Sequence, residues 1–288
     1  MTTVVERRAQ DGRAVLFACD FSPPRGTSPD LLESSRGLSA DFVSVAYNPG
    51  KSVRVNSALA AYWIKENLGL EVMFTVSTRD MNKIAIQSLL LGASLLGLEN
   101  IVVVKGDSFN DLDRTHLKSV NDFRPTELIR AVKAMNEGQD FRGAKLVSPT
   151  AFCIGATIDL VRDQDTEISL TRRKIEQGTD FFILQSVFDT RLVSDFLEKY
   201  YDRFGEPLDA PVFCGVQVMA KESFAFGDVP DWVKDDLSRG RTGEDLASDT
   251  IQRFVDDGHR SIYLLAPILK CGYRDYESAQ RVMETFRS

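Results

Sequence analysis

Short apolar runs rich in Val, Ile and Phe recur along the chain, and each is followed by a longer stretch in which apolar positions return at helical spacing. The runs fall at 15–20, 42–46, 72–77, 101–105, 152–157, 181–185, 212–216 and 262–266. The helical stretches fall at 29–36, 55–67, 80–96, 125–135, 167–177, 191–200, 232–237 and 243–257. Alternation of this kind specifies βα units and a parallel sheet. Because the spacing stays even to the end, eight units predict an α/β fold closed as a single (β/α)8 barrel rather than an open doubly wound sheet. The barrel is expected to occupy 1–288 as one domain, with 1–13 a polar N-terminal extension. Two segments, 108–124 and 220–243, exceed ordinary loops; both follow strands and are expected to overhang the barrel mouth.

Composition narrows the function. The chain has 288 residues, 43% hydrophobic and 27% charged, with a net charge of −7. No cluster of five or six Lys/Arg stands together, which argues against a nucleic-acid or anionic-membrane partner. No apolar run is long enough to span a bilayer, and the N-terminus lacks a secretory core, so a soluble, cytoplasmic protein is expected. The four cysteines, Cys19, Cys153, Cys214 and Cys271, show no metal-ligand spacing and read as buried free thiols. With only His116 and His259, a His-rich metal site is excluded and a Ser-His-Asp triad is disfavoured. No glycine-rich dinucleotide fingerprint or phosphate-binding loop occurs.

In a barrel the chemistry sits at the C-terminal strand ends. The polar residues there are Asp20, Tyr47 and Asn48, Ser77, Lys105 and Asp107, Thr157 and Asp159, Gln185 and Asp189, Gln217 and Lys270. Taken singly, a carboxylate ending a strand commonly caps the next helix. Asp20 closes an apolar run and precedes Phe-Ser-Pro-Pro-Arg, whose prolines stiffen the turn. A carboxyl among apolar neighbours holds a proton more readily, as a general acid requires. Asp107 follows a glycine, which permits close backbone approach to a ligand.

These segments, in this order, resemble the methylenetetrahydrofolate reductases. The family's Phe-Glu-Phe-Phe-Pro-Pro-Arg corresponds to Asp-Phe-Ser-Pro-Pro-Arg at 20–25, and its Phe-Val-Ser-Val-Thr-Tyr to Phe-Val-Ser-Val-Ala-Tyr at 42–47. Its Arg-Gly-Asp corresponds to Lys-Gly-Asp at 105–107, its Leu-Lys-Arg-Lys-Val-x-Ala-Gly to 171–178, and its Gln-Phe-Phe-Phe-Asp to Gln-Ser-Val-Phe-Asp at 185–189. The similarity spans residues 15–275. It implies reduction of 5,10-methylenetetrahydrofolate to 5-methyltetrahydrofolate, with tetrahydrofolate derivatives as ligands and FAD and NAD(P)H as cofactors.

By position, the resemblance makes Asp20 the acid that protonates N10 and opens the five-membered ring. Asp107 is then the aspartate beside pterin and flavin, where negative charge stabilises a cationic iminium. Gln185 reads the pterin edge, with Tyr47 and Phe188 also on the substrate. Lys105, Asp107, Thr157, Glu167 and Lys174 fall at flavin-contacting positions. Departures accompany the match. Asp20 is one methylene shorter than the family's Glu, Lys105 replaces Arg, Thr157 replaces Tyr, and Phe74 stands where a His is expected. They predict weakened FAD binding, or hydride delivery from NAD(P)H directly to the pterin iminium. A methyltransferase passing a methyl group from methyltetrahydrofolate to a corrinoid protein, and a non-catalytic folate-binding subunit, are the competing readings. A homo-oligomer or an electron-transfer partner is compatible with either.

Overall fold

The computed structural model describes residues 2–12, 14–225 and 227–287. Eight parallel strands close in sequence order: β1 Leu16–Phe21, β2 Phe42–Val45, β3 Val72–Ser77, β4 Asn100–Val104, β5 Cys153–Ile158, β6 Phe181–Ser186, β7 Val212–Gln217 and β8 Ser261–Leu265, the last returning to β1. The helices are α1 Val4–Asp11, α2 Ser57–Leu68, α3 Lys83–Leu95, α4 Asp111–Arg114, α5 Pro125–Asn136, α6 Gln164–Glu176, α7 Arg191–Phe204, α8 Asp231–Ser238, α9 Gly243–Asp256 and α10 Tyr276–Thr285. The expected (β/α)8 barrel is therefore the fold.

The strands sort their side chains by the two-residue pleat. Leu16, Ala18, Phe42, Met73, Val102, Cys153, Phe181, Ile183 and Phe213 fill the barrel interior, while Phe17, Cys19, Phe21, Phe74 and Phe182 pack outward against the helices. Gly155 makes room for the Phe181 ring, since a Cβ there would lie 2.3 Å from it. Register places Asp20 beside Ser44, and Ala18 beside Tyr263, so the inward row continues upward as polar groups. Cys19, Cys153 and Cys214 are free and buried as expected, and burial pushes the thiols of Cys153 and Cys214 up to about 12. The side chain of Cys271 lies outside those described.

Two local expectations change. The stretch 29–36 forms two 3-10 turns, Pro29–Leu31 and Glu33–Ser35, rather than a helix. Its Ser35 hydroxyl bonds back to the Leu32 carbonyl, and only Leu32 and Ser35 of 29–36 are buried, too little for an apolar stripe. The polar N-terminal segment instead holds α1, opened by a Thr3/Glu6 capping box. Its Val4 is fully buried against the interior cluster and donates its N–H to Asn100 Oδ1 at 3.0 Å, closing the end of the barrel opposite the mouth.

Candidate active site

The inward row of β1 ends at Asp20, 5% exposed. Its Oδ1 accepts the phenol hydrogen of Tyr263 on β8 at 2.8 Å, and Arg274 Nη2 lies 3.0 Å from its Oδ2. Ser44 on β2, beside Asp20 in the register, lies near the same phenol. Burial first, then the charge of Asp20, pushes the Tyr263 phenol well above its ordinary value, so it keeps its proton. Arg274 is fixed by more than the ion pair, because Nε donates to Ser22 Oγ at 3.1 Å and Nη1 to the Ala266 carbonyl at 3.4 Å. The result is a carboxylate with a neutral donor on Oδ1 and a guanidinium ion-paired with Oδ2.

The β2–β4 side of the mouth is built around Arg79, 6% exposed. Its guanidinium forks onto Asp80 (2.6 and 2.7 Å), donates to the Asp107 carbonyl at 2.8 Å and lies 4.4 Å over the Phe109 ring. Tyr47 is half-buried near Asp80, and burial followed by the Asp80 charge raises its phenol. Gly106 has φ +84°, and a Cβ there would sit 2.4 Å from Ser77 Oγ, which donates to the Lys105 carbonyl. This crowded turn leaves the side chains of Lys105 and Asp107 exposed. Lys51 bridges from the β2 loop to Asp113 on α4 at 2.6 Å, tying down the 108–124 segment.

On the opposite side, Gln185 ends the inward row of β6, its side chain exposed and without a hydrogen bond to any described residue. Gly215 allows the β6–β7 irregularity there, because a Cβ would meet the Gln185 backbone at 2.5 Å. Phe188 packs with Met219, Val233 and Leu246. The start of the 220–243 segment reaches from the end of β7 to the loop after β8. Gln217 Nε2 donates to the Phe224 carbonyl at 2.7 Å, and Phe224 bridges Ile268, which in turn bridges Arg274. Phe224 is left 63% exposed over this end of the barrel.

The positions assigned to a flavin behave differently. Lys174 and Glu167, 5% and 2% exposed, lie 3.2 Å apart, and the Lys174 ammonium also donates to the Thr157 carbonyl. Burial lowers the Lys174 ammonium while Glu167 opposes the shift. An ammonium closed in by a carboxylate and a carbonyl is not presented to a diphosphate, so this pair does not fit a flavin cradle. Phe74 faces the helices and meets Phe152 at 6.5 Å, so the lumen-facing position on β3 is Thr75. The missing histidine at Phe74 therefore says nothing about the pocket.

Sequence reading missed Tyr263, Ser44, Arg274 and Phe224. Tyr263 and Ser44 were open to it, since extending the alternation from Ala18 puts both on the inward face. Arg274 was not, because it lies nine residues beyond β8 and returns only through the Ile268 bridge. Among the described residues no group of three or more His, Cys, Asp and Glu converges as a metal site, and no helix is long and apolar enough to cross a membrane.

Similar solved structures include an uncharacterized protein from Clostridium thermocellum that binds two copies of 5-methyl-5,6,7,8-tetrahydrofolic acid. It is 14% identical, with 99% of each chain covered and a TM-score of 0.65. A long-chain alkane monooxygenase is 10% identical over 95% of this chain and 91% of its own, with a TM-score of 0.53. At these identities the likeness is one of fold. Family is decided by sequence: residues 5–260 match the model for methylenetetrahydrofolate reductase, and the chain belongs to that family.

Proposed function

We propose that the protein reduces 5,10-methylenetetrahydrofolate to 5-methyltetrahydrofolate, taking hydride from a reduced nicotinamide that binds and leaves as a co-substrate. The observation that carries this reading is the Asp20–Tyr263–Arg274 cluster at the mouth. Asp20, once it has taken up a proton from solvent, delivers it to N10, the N10–methylene bond breaks, and the electron pair of N5 forms the iminium. Hydride then adds to the methylene carbon to give the methyl group. Tyr263, which keeps its proton, fixes Oδ1, and Arg274 compensates the carboxylate left behind. Gln185, with a free amide on the inward row, is placed to pair with the pterin edge. Exposed Asp107 supplies negative charge toward the iminium across the mouth. The methyltetrahydrofolate bound by the Clostridium thermocellum protein supports a folate ligand for this barrel.

The test is anaerobic incubation of flavin-stripped protein with methylenetetrahydrofolate and NADH or NADPH, following absorbance at the nicotinamide band and the methyl product by mass spectrometry. Turnover unchanged by added FAD is expected. Turnover only with FAD would overturn the direct transfer. No oxidation of either nicotinamide under any condition, together with methyl transfer to a cobalamin acceptor, would overturn the reductase reading.

A further inference from the structure

The arginines around the mouth are mostly neutralised: Arg79 by Asp80, Arg162 by Asp159 and Glu167, Arg191 by Asp189, Arg274 by Asp20. Arg25 and Arg54 differ. Among the described residues neither has a carboxylate partner. Arg54 is half-buried and held only by neutral oxygens, with Nη1 2.8 Å from the Pro23 carbonyl and Nε 3.0 Å from Ser52 Oγ. Burial, then Arg25 and Arg274, push its guanidinium below its usual value, and Tyr276 alone opposes them. In a chain of net charge −7, three guanidiniums thus share one corner whose one ion-paired carboxylate, Asp20, is committed to Arg274. Like charges held together without an acid raise the free energy of the empty corner and lower it when an anion arrives.

The corner is continuous with the proposed acid. Arg274 links Asp20 to Ser22, Arg54 grips the next carbonyl at Pro23, and the Val55 N–H donates to the Pro24 carbonyl at 3.0 Å. Arg25 stands exposed at the end of the same turn. A folate whose N10 meets Asp20 carries, from that same nitrogen, a benzoyl ring and then a glutamate. We propose that Arg25 and Arg54 form an anion subsite for the carboxylates at the glutamate end of the folate. The assignment rests on the folate reading above. A dinucleotide phosphate has the same anionic chemistry and is the competing source.

Calorimetric titration of the intact protein with tetrahydrofolate and with tetrahydropteroate, which lacks the glutamate, separates the sources. Wild type is expected to bind tetrahydrofolate tighter by about tenfold or more, the scale of one charge-assisted hydrogen bond. Arg25→Gln, at an exposed position, should cut that preference to within about threefold and leave tetrahydropteroate binding unchanged. Arg54→Lys, which keeps a charge, should retain part of it, while Arg54→Gln should not. Equal wild-type affinities, or an unchanged ratio in Arg25→Gln, would overturn the subsite alone. A changed NADPH over NADH preference in Arg25→Gln with the folate ratio intact would reassign it to a phosphate and overturn the proposal. Failure of wild type to bind either pterin compound would overturn the folate reading together with the subsite.

Discussion

Replacing Asp20 by Asn keeps the shape of the side chain and removes both the carboxylate that pairs with Arg274 and the group that takes up and passes on the proton. Two separable losses follow. The first is structural: Arg274, itself within the buried set, would keep its neutral acceptors and lose its compensating carboxylate. Breaking a buried pair by removing one partner costs about 3–5 kcal/mol. For a chain of this length the entropy of unfolding is about 0.6 kcal/mol per kelvin, so the melting temperature should fall by about 5–8 °C. Adding Arg274→Met to Asp20→Asn should then cost less than Arg274→Met alone, by about 0.5–3 kcal/mol of coupling. The second loss is chemical. Without a proton for N10, turnover should fall by about 10²–10⁴-fold, the usual weight of general acid catalysis. Folate affinity should stay close to wild type, since the pterin edge is read elsewhere. Scanning calorimetry, the double-mutant cycle and steady-state rates measure these independently. A melting temperature within about 1 °C of wild type, or additive mutants, would refute the ion-pair energetics. Activity within about tenfold of wild type would refute the acid assignment.

The raised Tyr263 phenol carries a pH dependence. Above pH 10 the unfolded chain releases this proton while the folded chain retains it, so stability declines as pH rises past 10; Tyr263→Phe should flatten part of that decline in urea titrations at pH 9 and 11. An equal slope in both proteins would count against it. Gly106→Ala should lower stability more than Gly138→Ala, because both positions have positive φ, +84° and +82°, but only Gly106 is crowded by Ser77. The open position is expected to cost about 1 kcal/mol and the crowded one more; equal urea midpoints would show that the Ser77 contact relaxes freely.

All eight strands lie within one residue of the runs that alternation predicts, and closure into a barrel followed from their even spacing. These are local matters, because a run of β-branched and aromatic residues decides extended structure, and the pleat decides which side chains face inward. That Asp20 would end the inward row of β1 was equally legible. What Asp20 would meet was not: Tyr263 is 243 residues away in sequence and Arg274 further still, joined to it only because the barrel closes β8 onto β1. Lys174 and Glu167 show the converse. Their spacing on α6 reads the same for a cofactor site and for a salt-bridged helix face, and only packing against the end of β5 buries the pair and turns the ammonium onto the Thr157 carbonyl. Periodicity fixes the direction of a side chain relative to its own element. Its partners and its dielectric surroundings depend on elements distant in sequence, which pack against it only in the folded barrel.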